Sequence, residues 1–487
     1  MRTYSAWSAA RRLAPIGGLA AVLVAGWACN DFLDPDPRDV LAPENFYQSR
    51  ADAVSAVNAT YEANRAVYLL SFWYMSDIAS DDVLPGPRFG SDGQRMSAHT
   101  FDASDDFPIG DQWRAEYRLI NRANAVIGRV PNIQMDTALR TRLVHEARFL
   151  RAHAYLNLVR FYGDVPLVEQ EVTSLENLEV PRAPAASVYA FIVADLQAAA
   201  GVLPATYSGD DVGRATRGAA LALLAKAYLQ QQDWANAAAA AGQVITSGVY
   251  SLNADWRDNF RIAVELANPE SIFEVNFDGE TTPGGGSVHT LFSLPDGYPG
   301  GDAYGIMTVT PSAVAQYAPN DVRGLGGTFI NSPYVNEEGD TIVWQQPPGP
   351  AYIKYLDQDN TQNLESRSWV AQSNNWISLR YADVLLMYAE AVAQGAPATA
   401  GSALDALNAV RQRAGIGPAG ALTVDEVRAE RRREFLFEGQ RWFDLARYGQ
   451  LDAAITEKTG HPPKGPLFPI PQSERQLNPQ LTQNPGF

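Results

Sequence analysis

The stretch Glu426–Gln450, EVRAERRREFLFEGQRWFDLARYGQ, decides how the chain is read. It contains no Pro, and no Gly before Gly439. Val427, Arg431 and Phe435, then Trp442, Phe443, Leu445 and Tyr448, recur at three- and four-residue steps, the period of one helix face. Gly439 lacks a Cβ, so it permits a kink or a close backbone approach between the two halves. Charges lie among the aromatics: Glu430, Arg431, Glu434, Glu438, Arg441, Asp444 and Arg447. Guanidinium and carboxylate groups at such spacings pair along a helix or across to a neighbour. The pattern predicts a packed and satisfied network, with Arg441 and Trp442 holding the fold and not touching ligand.

Four other stretches extend the reading to most of the chain. They are EARFLRAHAYLNLVRFYGDVPLV (Glu146–Val168), LRYADVLLMYAEA (Leu379–Ala391), ALDALNAVRQRAG (Ala403–Gly415) and LFPIPQSERQLNPQLTQNPGF (Leu467–Phe487). With RRREFLFEGQRWFDLARYG they resemble the SusD/RagB family of outer-membrane nutrient-uptake lipoproteins. The resemblance implies a mainly α fold, an α/α superhelix with tetratricopeptide-like helix pairs and a loop-rich insert with short strands. It implies a non-catalytic role: capture of a nutrient, often an oligosaccharide, and its delivery to a partner TonB-dependent outer-membrane transporter of the SusC type. PSAVAQYAPNDVRG (Pro311–Gly324) resembles the family's short helix with a following Asp-x-Arg; Asp321 and Arg323 there read as structural.

Composition sets outer bounds. The 487 residues are 46% hydrophobic, enough for a sizeable core. A net charge of −17 disfavours nucleic acid, which wants a basic face. One cysteine excludes an intramolecular disulfide framework and any multi-cysteine metal site.

The N-terminus has the layout of a secretory signal: Arg2, Arg11 and Arg12, then the apolar run Leu13–Ala25, then Gly26-Trp27-Ala28 before Cys29. A cysteine directly after the cleavage point resembles a bacterial lipoprotein box, although Gly26 stands where Leu is usual. Residues 1–28 are therefore expected to be a signal peptide, with Cys29 as the lipidation site. Residues 29–43, rich in Asp and Pro, read as an extended, lipid-anchored tether. The expected location is the outer membrane, lipid-anchored and exposed at the cell surface. The apolar run is too short to span a bilayer, which takes ~20 residues. No later segment is expected to span one either: the Ala-rich stretch 218–242 is broken by Lys226, Gln230–Gln232 and Asp233.

Residues 44–487 read as one domain, with helical blocks at about 44–247 and 376–450 and an insert at about 250–370. Helices are predicted near 45–66, 110–130, 137–162 and 185–202, with helix pairs over 214–247 and 376–414. The small residues of the pair at 214–247 let two antiparallel helices pack closely. The insert clusters Gly and Pro, with short strand signals at Phe273–Phe277, Thr328–Ile330, Thr341–Trp344 and Tyr352–Tyr355.

Catalytic and phosphate-binding motifs are missing. The sequence holds no G-x-S-x-G elbow, H-E-x-x-H, or G-x-x-x-x-G-K loop, and no G-x-G-x-x-G after a strand. Its five histidines show no ligand pairing, so neither a metal nor another cofactor is expected. The adjacent carboxylates Asp81-Asp82 and Asp105-Asp106 do not imply two acids facing across a scissile bond. Sugar rings pack on aromatic faces while their hydroxyls need polar partners. Two loop groups offer that combination: Trp73, Tyr74, Asp81 and Asp82, and Tyr298, Asp302, Tyr304 and Trp344. At least two of Trp73, Tyr298, Tyr304 and Trp344 are expected exposed in one shallow concave patch. A glycoside hydrolase lipoprotein and a repeat-type envelope scaffold that binds only proteins are the alternatives. A turnover assay separates the first, and the second takes no small ligand.

Overall fold

A computed structural model describes residues 46–86, 90–174, 176, 178–278, 285–288, 307–335, 339, 341–344, 349–357 and 373–487. The principal helices are α1 (Arg50–Tyr68), α2 (Asp111–Arg129), α3 (Thr137–Tyr162), α4 (Ala185–Val202), α5 (Arg217–Gln230), α6 (Trp234–Ser247), α7 (Tyr381–Ala393), α8 (Ala403–Arg413), α9 (Val424–Glu434), α10 (Arg441–Tyr448) and α11 (Leu451–Thr459). Their starts carry local signals. Ser49 and Asp52 form a capping box on α1, and Asp136, Thr216, Asp233, Ser402 and Thr423 cap α3, α5, α6, α8 and α9 through their side chains.

From α1 to α8 each helix packs on the next, and α9 packs on α7. Nearest-neighbour stacking of this kind is how helix pairs that cannot bury a face alone share a core. The predicted pairs are α5–α6 and α7–α8. In the first, Ala219, Ala220, Ala222, Ala237, Ala238 and Ala241 are buried, so their short side chains allow the close approach. The fold is thus mainly helical, as the sequence predicts. Helix α4 passes a length-and-composition test for a membrane span, with mean hydropathy 1.5, which corrects the expectation that no later segment does. It packs between α3 and α5, and its Asp195 accepts from Arg151 at 2.8 Å.

The short strands tie the insert to the helices. Strands β1 (Val83–Pro85), β2 (Val165–Pro166), β3 (Arg182–Ala183), β4 (Ser271–Val275), β5 (Met307–Val309), β6 (Phe329–Ile330), β7 (Tyr334–Val335), β8 (Thr341–Ile342), β9 (Ala351–Tyr352) and β10 (Trp376–Arg380) form one sheet of order β1-β5-β9-β6 and the pairs β4–β10, β2–β3 and β7–β8. Antiparallel β4–β10, with Trp376 opposite Val275, joins the start of the insert to the start of α7.

The stretch 426–450 breaks where Gly439 allows it. Helix α9 ends at Glu434, Phe437 and Gly439 take φ of +63° and +67°, and α10 begins at Arg441. A Cβ on Gly439 would lie 2.4 Å from Phe72 Cε1 and 3.1 Å from Trp376 Cζ2, so only glycine fits. The carbonyls freed at the end of α9 find cations: Lys354 Nζ donates to Glu434 O (2.8 Å) and Leu436 O (3.0 Å), and Arg380 Nη2 to Glu434 O (3.0 Å).

Around this break the charges pair in the core. Arg323 Nη1 reaches Glu430 and Glu434, both at 2.6 Å, and its Nη2 reaches Asp321 at 2.7 Å. Arg380 bridges Glu270 (2.8 Å), Glu434 (2.5 Å) and Glu438 (2.7 Å), while Arg413 joins Glu270 and Glu434. A second group links Arg431 to Asp383 (2.8 Å) and Asp444 (3.0 Å), Lys226 to Asp383 (2.8 Å), and Arg447 to Glu390. These groups are buried, so each ion depends on its partners to offset lost hydration.

Candidate ligand-binding site

The first predicted loop group is not a surface. Trp73 follows α1 by one turn, so the helical phase carries it inward, and it is 3% exposed. Its indole N–H donates to Leu69 O at 3.0 Å. Tyr74 is buried between Trp73 and Phe107, with ring centroids 4.8 and 5.0 Å away. Asp81 and Asp82 are also buried, and both belong to the packing network. Arg441 holds Asp81 with two hydrogen bonds of 2.7 and 2.8 Å, and Arg432 reaches Asp82 at 2.7 and 2.9 Å. Burial pushes the Asp81 carboxyl up, but hydrogen bonds and charge from Arg441 outweigh it and leave the group low. Burial and the charge of Asp81 raise Asp82. Neither carboxylate is open to a sugar hydroxyl.

In the second group, Trp344 is 6% exposed and packs with Ile330, Ile342, Ala351, Ile353 and Leu356 under its own hairpin. Of the four rings of which at least two are expected exposed in one patch, Trp73 and Trp344 are thus buried. Tyr298, Asp302 and Tyr304 lie outside the described residues, as does Cys29.

A concavity does form elsewhere. Two adjoining cavities of about 160 and 310 Å³ lie between α1, the loop 205–216 and β4. They share Arg214, Glu274 and Asn276. Alternation along β4 puts Phe273 and Val275 in the core and leaves Glu274 on the opposite face. One Glu274 oxygen accepts from Asn375 Nδ2 at 2.8 Å. Burial raises its pKa. Arg214 is oriented by Glu146 (3.0 Å) and Asp211 (2.7 Å). Arg65, on the same wall, reaches Gly285 O at 3.4 Å. The cleft thus offers carboxylate, guanidinium, amide and phenol groups, the set that hydrogen-bonds hydroxyls. Sequence reading missed Glu274 and Asn276, although the alternation that marked Phe273, Val275 and Phe277 also implies the face opposite. Among the described residues, no three His, Cys, Asp or Glu side chains converge as a metal site.

A stack of helix pairs, closed by a charge-paired C-terminal turn and carrying a polar cleft, is the scaffold of a binding protein. The family model described as "SusD family" matches residues 338–487, and the one described as "Starch-binding associating with outer membrane" matches residues 31–229. A SusD-like protein P2 of Formosa agariphila is 27% identical, over 94% of this chain and 97% of its own length. Among solved structures, a laminarin binding SusD-like protein superposes with TM-score 0.80 at 27% identity, covering 91% of this chain and all of its own. Surface glycan-binding protein A from Bacteroides fluxus superposes with TM-score 0.77 at 27% identity, covering 90% of this chain and all of its own. The chain belongs to the SusD/RagB family.

Proposed function

We propose that the protein is an outer-membrane-associated carbohydrate-binding protein that captures an oligosaccharide and passes it to a TonB-dependent transporter of the SusC type. The observation that carries this reading is the similarity, over nearly the whole chain, to the laminarin-binding SusD-like protein. The cleft beside β4 supports it, because its polar groups suit a polyhydroxylated ligand. Tyr298, Asp302 and Tyr304 are further contacts in the proposal, on the chemistry of their side chains. The protein acts without catalysis: the buried acids Asp81 and Asp82 are held by arginines and do not face each other across a groove. Lipidation at Cys29 places the domain on the outer membrane, exposed at the cell surface.

Delivery requires a lid that docks on the channel, and a stable complex buries upward of ~1,000 Å². The test is extraction of native outer membranes in mild detergent, followed by affinity purification of this chain. Co-elution of a large TonB-dependent barrel protein is the expected result. Elution as a free monomer across several gentle detergents overturns delivery.

A further inference from the structure

A separate cavity of about 620 Å³ lies where the end of α3, the start of α4, the end of α5, α10 and the C-terminal segment meet. It shares no lining residue with the cleft beside β4. Arg160 is its distinctive wall. The side chain is 9% exposed, and its Cζ sits 3.9 Å from the centroid of the Phe443 ring. Nε donates to Leu156 O at 3.2 Å and Nη2 to Asn157 Oδ1 at 2.7 Å. Nη1 donates to no acceptor among the described residues. The guanidinium is thereby fixed in plane and position with one N–H edge free.

Its charge is also uncompensated. Arg323, Arg380, Arg431 and Arg447, equally deep, each meet carboxylates, whereas Arg160 makes no ion pair among the described residues. The carboxylates whose charge reaches it are engaged otherwise. Asp383 is held by Lys226 and Arg431, and burial pushes Glu116 well up toward its neutral form. A second cavity guanidinium, Arg182, donates only to neutral acceptors: Asp164 O, Thr482 O and Oγ1, Tyr162 O and Asn484 Oδ1. Leaving a buried cation unpaired is costly, and the cost is removed when an anion arrives.

The rest of the wall is suited to hydroxyls. Asp164 accepts from Ala185 N through Oδ1, and its Oδ2 accepts no hydrogen bond among the described residues. Tyr189 supplies a ring face. The volume falls in the ~300–1,000 Å³ range of small-molecule sites.

We propose that this cavity binds the carboxylate of an acidic sugar, such as a hexuronate unit of an oligosaccharide, with Arg160 Nη1 as its anchor. The inference rests on the carbohydrate-binding reading and adds a second subsite with its own chemical class. The test is calorimetric titration of residues 30–487 with uronate oligosaccharides, with their carboxyl-reduced neutral counterparts, and with inorganic sulfate. Acidic chains should bind about tenfold or more tightly than reduced ones, the range of a hydrogen bond to a charged group. Arg160→Gln should abolish the difference. Because Arg160 is buried and that variant can misfold, Gln231→Glu is the second variant: it sits exposed on the rim and adds a repelling charge. It should weaken uronate binding about tenfold, with melting temperature and neutral-glycan binding unchanged. Equal affinity for acidic and reduced chains, no effect of Gln231→Glu, or displacement by sulfate as effective as by uronate overturns the site. If neutral glycans bind and uronates do not, only this inference falls; if no saccharide binds, the carbohydrate reading falls with it.

Discussion

Replacing Glu434 by Gln removes one negative charge from the centre of the buried network while nearly keeping its shape. Glu434 is fully buried and accepts from Arg323 (2.6 Å), Arg380 (2.5 Å) and Arg413. Three cations would lose a shared anion, although Asp321, Glu430, Glu438 and Glu270 still partner them. Breaking a buried pair on one side costs ~3–5 kcal/mol, a large fraction of a typical ~5–15 kcal/mol stability. The assay is urea unfolding at pH 7, and the midpoint should fall markedly with little change in slope. Coupling gives a stricter check: Arg413→Gln should cost less in the Glu434→Gln background than alone, because their shared contact is already gone. The pH dependence has a definite sign. Burial alone would raise Glu434, but Arg413, Arg380 and Arg323 hold it well below its ordinary value of 4.5. A carboxylate lowered on folding stabilises above its unfolded pKa, and that contribution fades as pH falls. The gap between wild type and variant should stay constant from about pH 8 to 5 and narrow below about pH 4.5. A midpoint shift equivalent to less than ~1 kcal/mol at pH 7 would refute the view that this network holds the fold together.

Three further outcomes are expected. Trp442→Ala should lower the melting temperature sharply and destabilise by ~3–5 kcal/mol, because Trp442 is 1% exposed and packs on His99 and Phe468. Its indole N–H has no hydrogen-bond partner among the described residues, so the loss is one of packing; lost binding at normal stability would reverse the assignment. Burial pushes Asp77 from 3.8 to about 7, so its folded-state penalty grows as pH rises from about 4 to 7. Asn can keep the contacts to Gly439 N and Ser76 Oγ, so Asp77→Asn should stabilise by up to roughly 4 kcal/mol at pH 8 and hardly at pH 4; an equal gain at both pH values in thermal melts would contradict the titration. Cys29→Ser should move the protein from the membrane to the soluble fraction on cell fractionation, and persistence in the membrane would rule out a lipid anchor there.

The helices were legible because their signals are local. The predicted spans 137–162 and 185–202 coincide with α3 and α4: Gly163 stops the first and Pro184 precedes the second. The break at Gly439 was legible for the same reason: a residue without a Cβ interrupts a continuous face. The burial of Asp81 and Asp82 was not. Their partners Arg441 and Arg432 lie some 350–360 positions away, and no local pattern records a contact of that range. Trp73 misled in a different way, because an aromatic just beyond a helix reads as a loop residue unless the helical phase is carried past Tyr68. Strand β1 escaped notice because its partner β5 is more than 200 residues on, and three residues carry too little alternation. The Arg160 cavity is assembled from four helix ends and a tail, so its composition exists only in three dimensions.

Carbohydrate binding itself is tested most directly by isothermal titration of residues 30–487 with laminarin and starch oligosaccharides, the two classes its relatives' descriptions name. Saturable binding of at least one of them, with no reducing ends released over the titration, is the expected result. A correctly folded domain that takes up neither class contradicts it, and one that shortens the chains is an enzyme.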